Sequence, residues 1–272
     1  MIEDSERGAA AALPAEAGVP DTGGALEEAS TYPLVFATVS GAHLYGFPSA
    51  DSDVDLRGAH LLPTAELIGL REPEETRTRM WERDGTELDL VTHDLRKFVR
   101  LMLKRNGYVL EQLLSPLVVR TTPAHAELAA LAPGVLTRHH AHHYRGFAGT
   151  QWRLYERSGE LKPLLYTFRA LLTGIHLMRS GELSAHLPTL VEAVPEAPAR
   201  LPGLIAAKAR AEHGTATGLV TEDAVREETA ALHTVLDEAQ DASHLPEEPA
   251  AYDALHDFVI RARTNQPCDG AG

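Results

Sequence analysis

The sequence predicts a mixed α/β unit followed by a helical region, with the change of character near residue 120. Three observations predict it. Before Pro123, short β-branched apolar runs alternate with glycine turns, whereas beyond it apolar residues recur at helical spacing between Pro and Gly breakers. An Asp84-Gly85 pair joins two strand-like runs, TRTRMWER and TELDLVT, which is the strongest short-range hairpin signal. The length of 272 residues also exceeds the roughly 100–200 of a usual domain. The expected division is a leader over 1–30, an α/β domain over 31–120, a helical domain over 121–264 and a tail over 265–272.

Taken in order, residues 1–30 are rich in Ala, Gly, Pro and Glu without sustained periodicity and read as a mobile leader. PLVFATVS (33–40) reads as a buried strand, and GAHLYG starts a short helix after a glycine turn. DVDLRGAHLL supplies a second strand, TAELIGL a short helix, and the hairpin runs two more strands. Asp94 reads as the N-cap of a helix to about Arg105, with Phe98, Leu101 and Met102 on its apolar face. Helices are then expected near 124–131, 138–157, 163–179, 201–212, 222–240 and 250–263.

Composition excludes several classes. Apolar residues at 44% and charged residues at 24% are ordinary for a globular chain, and no apolar run reaches the roughly 20 residues of a membrane span. The acidic N-terminus lacks the basic and apolar segments of an export signal, so a cytoplasmic protein without membrane contact is expected. The one cysteine, Cys268, rules out an intrachain disulfide framework or a multi-cysteine zinc site. A net charge of −14 argues against coating nucleic acid by bulk electrostatics. Arg96, Lys97, Arg100, Lys104 and Arg105 share one helix-length segment, and a solvated helix face is the better reading of them than a phosphate patch.

The chemistry concentrates in TVSGAHLYGFPSADSDVDLRG (38–58). Asp53 and Asp55 project to one face of a strand while Val54 and Leu56 pack the other way. Two carboxylates so close repel unless a cation sits between them, and oxygen-only ligands favour a hard divalent ion. A pair of such ions clamps both the attacking and the leaving oxygen of a phosphoryl displacement. Asp89, between Leu88 and Leu90 in the second hairpin strand, offers the third carboxylate. The Gly41 turn, separated from Asp53 by an eleven-residue spacer, allows backbone N–H groups close approach to a triphosphate.

These motifs, with LDLVTHDLRKFVRLMLKRNGYVLEQLLSP after them, resemble the polymerase-β-like nucleotidyltransferases. The similarity is greatest to the RNA-ligase-associated, or RNA repair pathway, DNA polymerase β family. It covers residues 34–120 and extends more loosely into KPLLYTFRALLTGIHLMRSGEL (162–183). The resemblance implies a polymerase-β-like core with a C-terminal helical domain, in which Asp53, Asp55 and Asp89 hold two Mg²⁺ or Mn²⁺ ions. It implies transfer of a nucleoside monophosphate from an NTP to a hydroxyl, with an RNA end as acceptor and an RNA ligase in the same pathway. A protein side chain as acceptor, and a catalytically weakened regulatory or antitoxin-like module, are the alternatives. Gly41, Ala42, Ser52 and Arg57 are assigned to the triphosphate or to the loop that holds it. Ala42 departs from the family's serine, which removes one hydroxyl from the phosphate loop and predicts weaker nucleotide binding. Asn106 lacks the proline that usually follows it in relatives.

Outside these motifs, Lys162, Tyr166 and Arg169 fall on one helix face, readable as a basic contact to phosphate or as ordinary packing; Lys162 and Arg169 join the expected nucleotide contacts. Arg169 and His176 form an R-x6-H spacing of the type found in helical nuclease domains, and chance is the better account of it. His139, His140 and His143 in RHHAHHY lack a Cys or Glu to complete a familiar zinc set, so a helix face is expected there. Trp81 and Trp152 read as core residues.

Overall fold

The computed structural model describes residue 19 and residues 23–49, 52–83, 85–210, 215–216 and 218–264. Most of the expected leader, the whole of the expected tail including Cys268, and Asp84 of the hairpin turn lie outside the described residues.

Helix α1 (Gly23–Ala29) falls within the stretch expected to be a leader, and its Leu26 is buried. Strand β1 (Leu34–Val39) leads through Ser40 into the short helix α2 (Gly41–Tyr45), and β2 (Val54–His60) follows. Helix α3 (Thr64–Ile68) precedes the hairpin strands β3 (Thr76–Arg83) and β4 (Thr86–Asp94). Helices α4 (Leu95–Leu103) and α5 (Gly107–Leu113) lead to a last strand, β5 (Val118–Arg120). The sheet order is β3-β4-β2-β1-β5, with β2 and β4 parallel and the other neighbours antiparallel.

Helices α6 (Pro123–Leu131), α7 (His140–Ser158), α8 (Leu161–Ser180), α9 (Leu187–Ala193), α10 (Leu201–Lys208), α11 (Glu222–Asp241) and α12 (Tyr252–Thr264) complete the chain. Helix α8 is buried over most of its circumference and is packed by α7, α9, α10 and α11, which is why its sequence is apolar nearly all round. One cluster of buried apolar side chains runs from β1 and β2 through α8 to α12, so the sheet and the helices share a core.

Helix α1 and three later elements, α5, β5 and α9, have no counterpart in the sequence expectation. Helix α4 stops before Arg105, whose φ of 62° turns the chain toward Asn106. Asp94 caps α4 by accepting from the Arg96 N–H at 2.9 Å, as its position suggested. It is also fully buried and accepts two bonds from Arg263 of α12, at 2.7 and 2.8 Å.

Candidate active site

The site is built where β1 ends and β2 begins. Thr38 and Arg57 are register partners, and the Ser40 N–H donates to the Asp55 carbonyl at 2.8 Å, so Thr38, Ser40, Asp55 and Arg57 share one face of the sheet. On the other side of β2, the parallel ladder sets Asp55 directly opposite Asp89. Asp53 precedes the strand and is exposed, whereas the side chains of Asp55 and Asp89 keep 31% and 25% of their surface. The structure brings Asp55 and Asp89 together, and the charge of Asp53 acts on Asp55 more weakly than that of Asp89.

Gly41 is required here for two reasons. Its φ of 62° lies in the left-handed region, and a Cβ on it would stand 1.9 Å from Asp55 Oδ2. The glycine thus lets the loop backbone run against the carboxylate. Ser52 closes the turn that leads into Asp53: its hydroxyl accepts from the Ser49 N–H at 2.9 Å. The buried Lys208 of α10 donates to Ser49 Oγ at 3.1 Å, tying the helical region to this turn.

Arg57 departs from its expected role. Nε donates to Tyr108 Oη at 3.2 Å, and Nη1 donates to the carbonyls of Leu56 and Asp89 at 2.9 and 2.7 Å. Nη2 donates to Asp55 Oδ1 at 2.6 Å and Asp89 Oδ2 at 2.9 Å. All five N–H donors of the guanidinium are engaged, leaving none for a triphosphate. Burial pushes the Asp55 carboxyl upward, the Arg57 charge pulls it back, Asp89 raises it and Lys162 lowers it. Lys162, at the start of α8, therefore lies in the field of the site.

Arg169 does not. Its side chain is 3% exposed and donates to Glu111 Oε1 at 2.7 Å, while its guanidinium stacks over the Tyr45 ring at 4.0 Å. Tyr45 in turn donates to Glu111 Oε2 at 3.0 Å. Arg169 thus braces the back of α2 and has no surface to offer a phosphate. Tyr166, one turn earlier, packs edge-on against Tyr45 and Phe47. Ala42 is buried in the apolar cluster rather than open to the cleft. The loop does carry a hydroxyl: Ser40 Oγ, fully buried beside Gly41, has no hydrogen-bond partner.

The remaining candidates fit their structural readings. Arg96 and Arg100 bond Glu75, and Arg105 bonds Glu248, so much of the basic stretch is charge-paired. His140 is buried and accepts the Thr137 N–H at 3.1 Å. Among the described residues no three His, Cys, Asp or Glu side chains form a ready-made metal cluster. Asp53, Asp55 and Asp89 nonetheless fit Mg²⁺, which takes one or two carboxylates and completes its shell with water and phosphate oxygens. The guanidinium bridging Asp55 and Asp89 marks that point as one where a cation is stabilised. Sequence reasoning missed Ser40, Tyr108, Glu111 and Lys208. Asn106, which caps α5 through the Tyr108 N–H at 3.0 Å, was the available signal for Tyr108.

A mixed sheet with a glycine turn facing strand-borne carboxylates is the arrangement of a polymerase-β-like nucleotidyltransferase. The chain belongs to the RNA repair pathway DNA polymerase beta family, whose model matches residues 24–261. It is 34% identical over 157 residues to the uncharacterized protein MJ0002 of Methanocaldococcus jannaschii, covering 56% of this chain and 63% of that protein. It is 33% identical over 93 residues to the uncharacterized protein YcgL of Bacillus subtilis, covering 34% and 35% of the two chains. The matches span less than two thirds of either relative. Among solved structures, a nucleotidyltransferase-like protein from Exiguobacterium sibiricum aligns over 89% of this chain and 77% of its own, at 10% identity and a TM-score of 0.30. No helix among the described residues is long and apolar enough to cross a membrane.

Proposed function

We propose that this chain transfers a nucleoside monophosphate from an NTP to an acceptor hydroxyl, with an RNA end as the acceptor and divalent metal as the cofactor. The observation that carries the reading is Asp55 opposite Asp89, with Gly41 against Asp55 and the charge of Asp53 acting on Asp55. Asp53 and Asp55 would hold both ions, and Asp89 the one nearer the acceptor. When bound, the ions supply positive charge to the triphosphate and to the attacking oxygen. Gly41 brings loop backbone within reach of the phosphates, and Lys162 adds charge from the helical region. Asp89 faces the acceptor hydroxyl and draws its proton as the oxygen bonds to the α-phosphorus. The bond from that phosphorus to the pyrophosphate oxygen breaks, and pyrophosphate leaves.

The family name supports RNA as the acceptor, and the same reading suggests a cytoplasmic enzyme working beside an RNA ligase. The test is incubation with each α-labelled NTP, Mg²⁺ or Mn²⁺, and a mixture of RNA and protein acceptors. Label on RNA ends is the expected result. Label on protein would identify a side-chain AMP transferase instead, and absence of NTP consumption a nucleotide-binding regulatory module.

A further inference from the structure

The guanidinium of Arg57 stands where a nucleotidyltransferase would be expected to place a metal ion, and it is held there firmly. Tyr108 Oη, the Leu56 carbonyl and the Asp89 carbonyl fix Nε and Nη1. Only Nη2 reaches the acids, taking one oxygen from each: Oδ1 of Asp55 and Oδ2 of Asp89. The oxygens left over are Asp55 Oδ2, which lies against Gly41, and Asp89 Oδ1. An arginine anchored at three points by backbone and a tyrosine is not a side chain poised to swing out. It is a fixture that decides which carboxylate oxygens remain for other ligands.

We infer that Arg57 is a positioning residue: it aligns Asp55 and Asp89 for metal and lowers the affinity of the site for that metal. The inference rests on the reading of Asp53, Asp55 and Asp89 as metal ligands. Two opposed consequences follow. A fixed positive charge within 2.9 Å of both acids repels an incoming divalent ion, so metal-free and metal-bound protein lie closer in energy than carboxylates alone would make them. The same charge stops the acids from repelling each other before metal arrives, so their geometry is preformed. Loading is weaker but better aligned. A residue that merely filled space would give neither effect.

The experiment compares wild type, Arg57→Met and Arg57→Lys. Methionine keeps much of the length without charge; lysine keeps the charge without the planar fork. Mn²⁺ binding is measured directly from the loss of the free-ion paramagnetic resonance signal, alongside melting with and without Mn²⁺ and the labelled-transfer assay. For Arg57→Met, Mn²⁺ should bind roughly tenfold tighter, and the metal should raise its melting temperature more than that of wild type. Its transfer rate should nonetheless fall by about tenfold or more, with partial recovery on adding guanidinium ion. Arg57→Lys should bind Mn²⁺ as wild type does and still transfer slowly. Unchanged or weaker Mn²⁺ binding by Arg57→Met, or wild-type transfer by either variant, would overturn the inference while leaving the metal site standing. Failure of wild type itself to bind Mn²⁺ would remove the metal site, and this role of Arg57 with it.

Discussion

Asp55 and Asp89 are register partners across the parallel β2/β4 ladder, and one guanidinium nitrogen of Arg57 bridges them at 2.6 and 2.9 Å. The pairing joins two acids 34 positions apart in the chain, and the hairpin between β3 and β4 is what returns the second acid to the first. The order β3-β4-β2 therefore does chemical as well as architectural service. Moving β4 by one residue would turn Asp89 to the opposite face and bring Leu88 or Leu90 beside Asp55.

Asp53→Asn and Asp55→Asn should each lose NMP transfer by on the order of a thousandfold, because a neutral amide forfeits several kcal/mol of charge stabilisation at a divalent ion. Melting of Asp55→Asn without metal should hold or rise, since burial disfavours that carboxylate's charge and a neutral amide escapes the cost. Asp89→Ala should keep NTP binding better than Asp53→Asn while losing turnover. Calorimetry with Mg²⁺ and NTP, followed by the transfer assay, reads both quantities; wild-type turnover by the purified Asp55→Asn protein would contradict the assignment.

Ser40→Ala separates stability from binding. The Ser40 hydroxyl is buried without a partner, so its removal should stabilise the free protein by about 1 kcal/mol. If that hydroxyl donates to a phosphate, the NTP KM should rise roughly tenfold or more, since a bond to a charged group is worth about 1.5–3 kcal/mol. A higher melting temperature with an unchanged KM would place the phosphates elsewhere.

The Arg169–Glu111 pair should behave as a structural unit. Both side chains are nearly fully buried, at 3% and 1% exposure, so Glu111→Gln or Arg169→Met should each cost about 3–5 kcal/mol by stranding the other. The double variant Arg169→Met with Glu111→Leu should regain most of that loss in urea denaturation. A large rise in NTP KM for Arg169→Met, with unchanged melting, would restore the phosphate contact that its sequence position suggested.

Histidine burial sets an acid limit. Burial pushes His140 down to about 4 from its ordinary 6.5, and His60 and His93 are lowered to about 4 as well. In the unfolded chain these groups take up protons below pH 6.5, whereas the folded protein holds them neutral. Their contribution is thus complete above pH 6.5 and is lost as pH falls toward 4. Within that window each should account for up to about 1.4 kcal/mol per pH unit of stability lost. His140→Asn keeps an acceptor for the Thr137 N–H and cannot titrate, so its urea-derived stability should fall less steeply between pH 6.5 and 4. Parallel slopes for the two proteins would assign the acid sensitivity to other groups.

The candidate site was legible because its signals are local. Asp53 and Asp55 alternate with apolar residues, Gly41 interrupts a strand-to-helix step, and Asp84-Gly85 marks the hairpin. That Asp89 pairs with Asp55 was not legible, since register depends on which strands become neighbours. Arg57 was misread for the same reason: its partners Tyr108 and Asp89 lie in separate elements. Arg169 misled because its helix face contains exposed Lys-type and buried Arg-type positions alike, and only Glu111 decides between them. The strand Val118–Arg120 is three residues long and takes its conformation from β1 rather than from any pattern of its own.

The clasp between Asp94 and Arg263 links the end of the interior strand β4 to a helix residue made 169 positions later. During synthesis, at roughly 5–20 residues per second, Asp94 waits some tens of seconds or less for its countercharge. Until Arg263 emerges, closing the core around Asp94 would strand an ionised carboxylate, so this corner of the sheet must stay wet. The acids of the candidate site can find one another early, yet the corner behind them is sealed only once Arg263 has been made. A nascent chain is thereby kept from settling into a finished core while the helix that carries Arg263 is still missing.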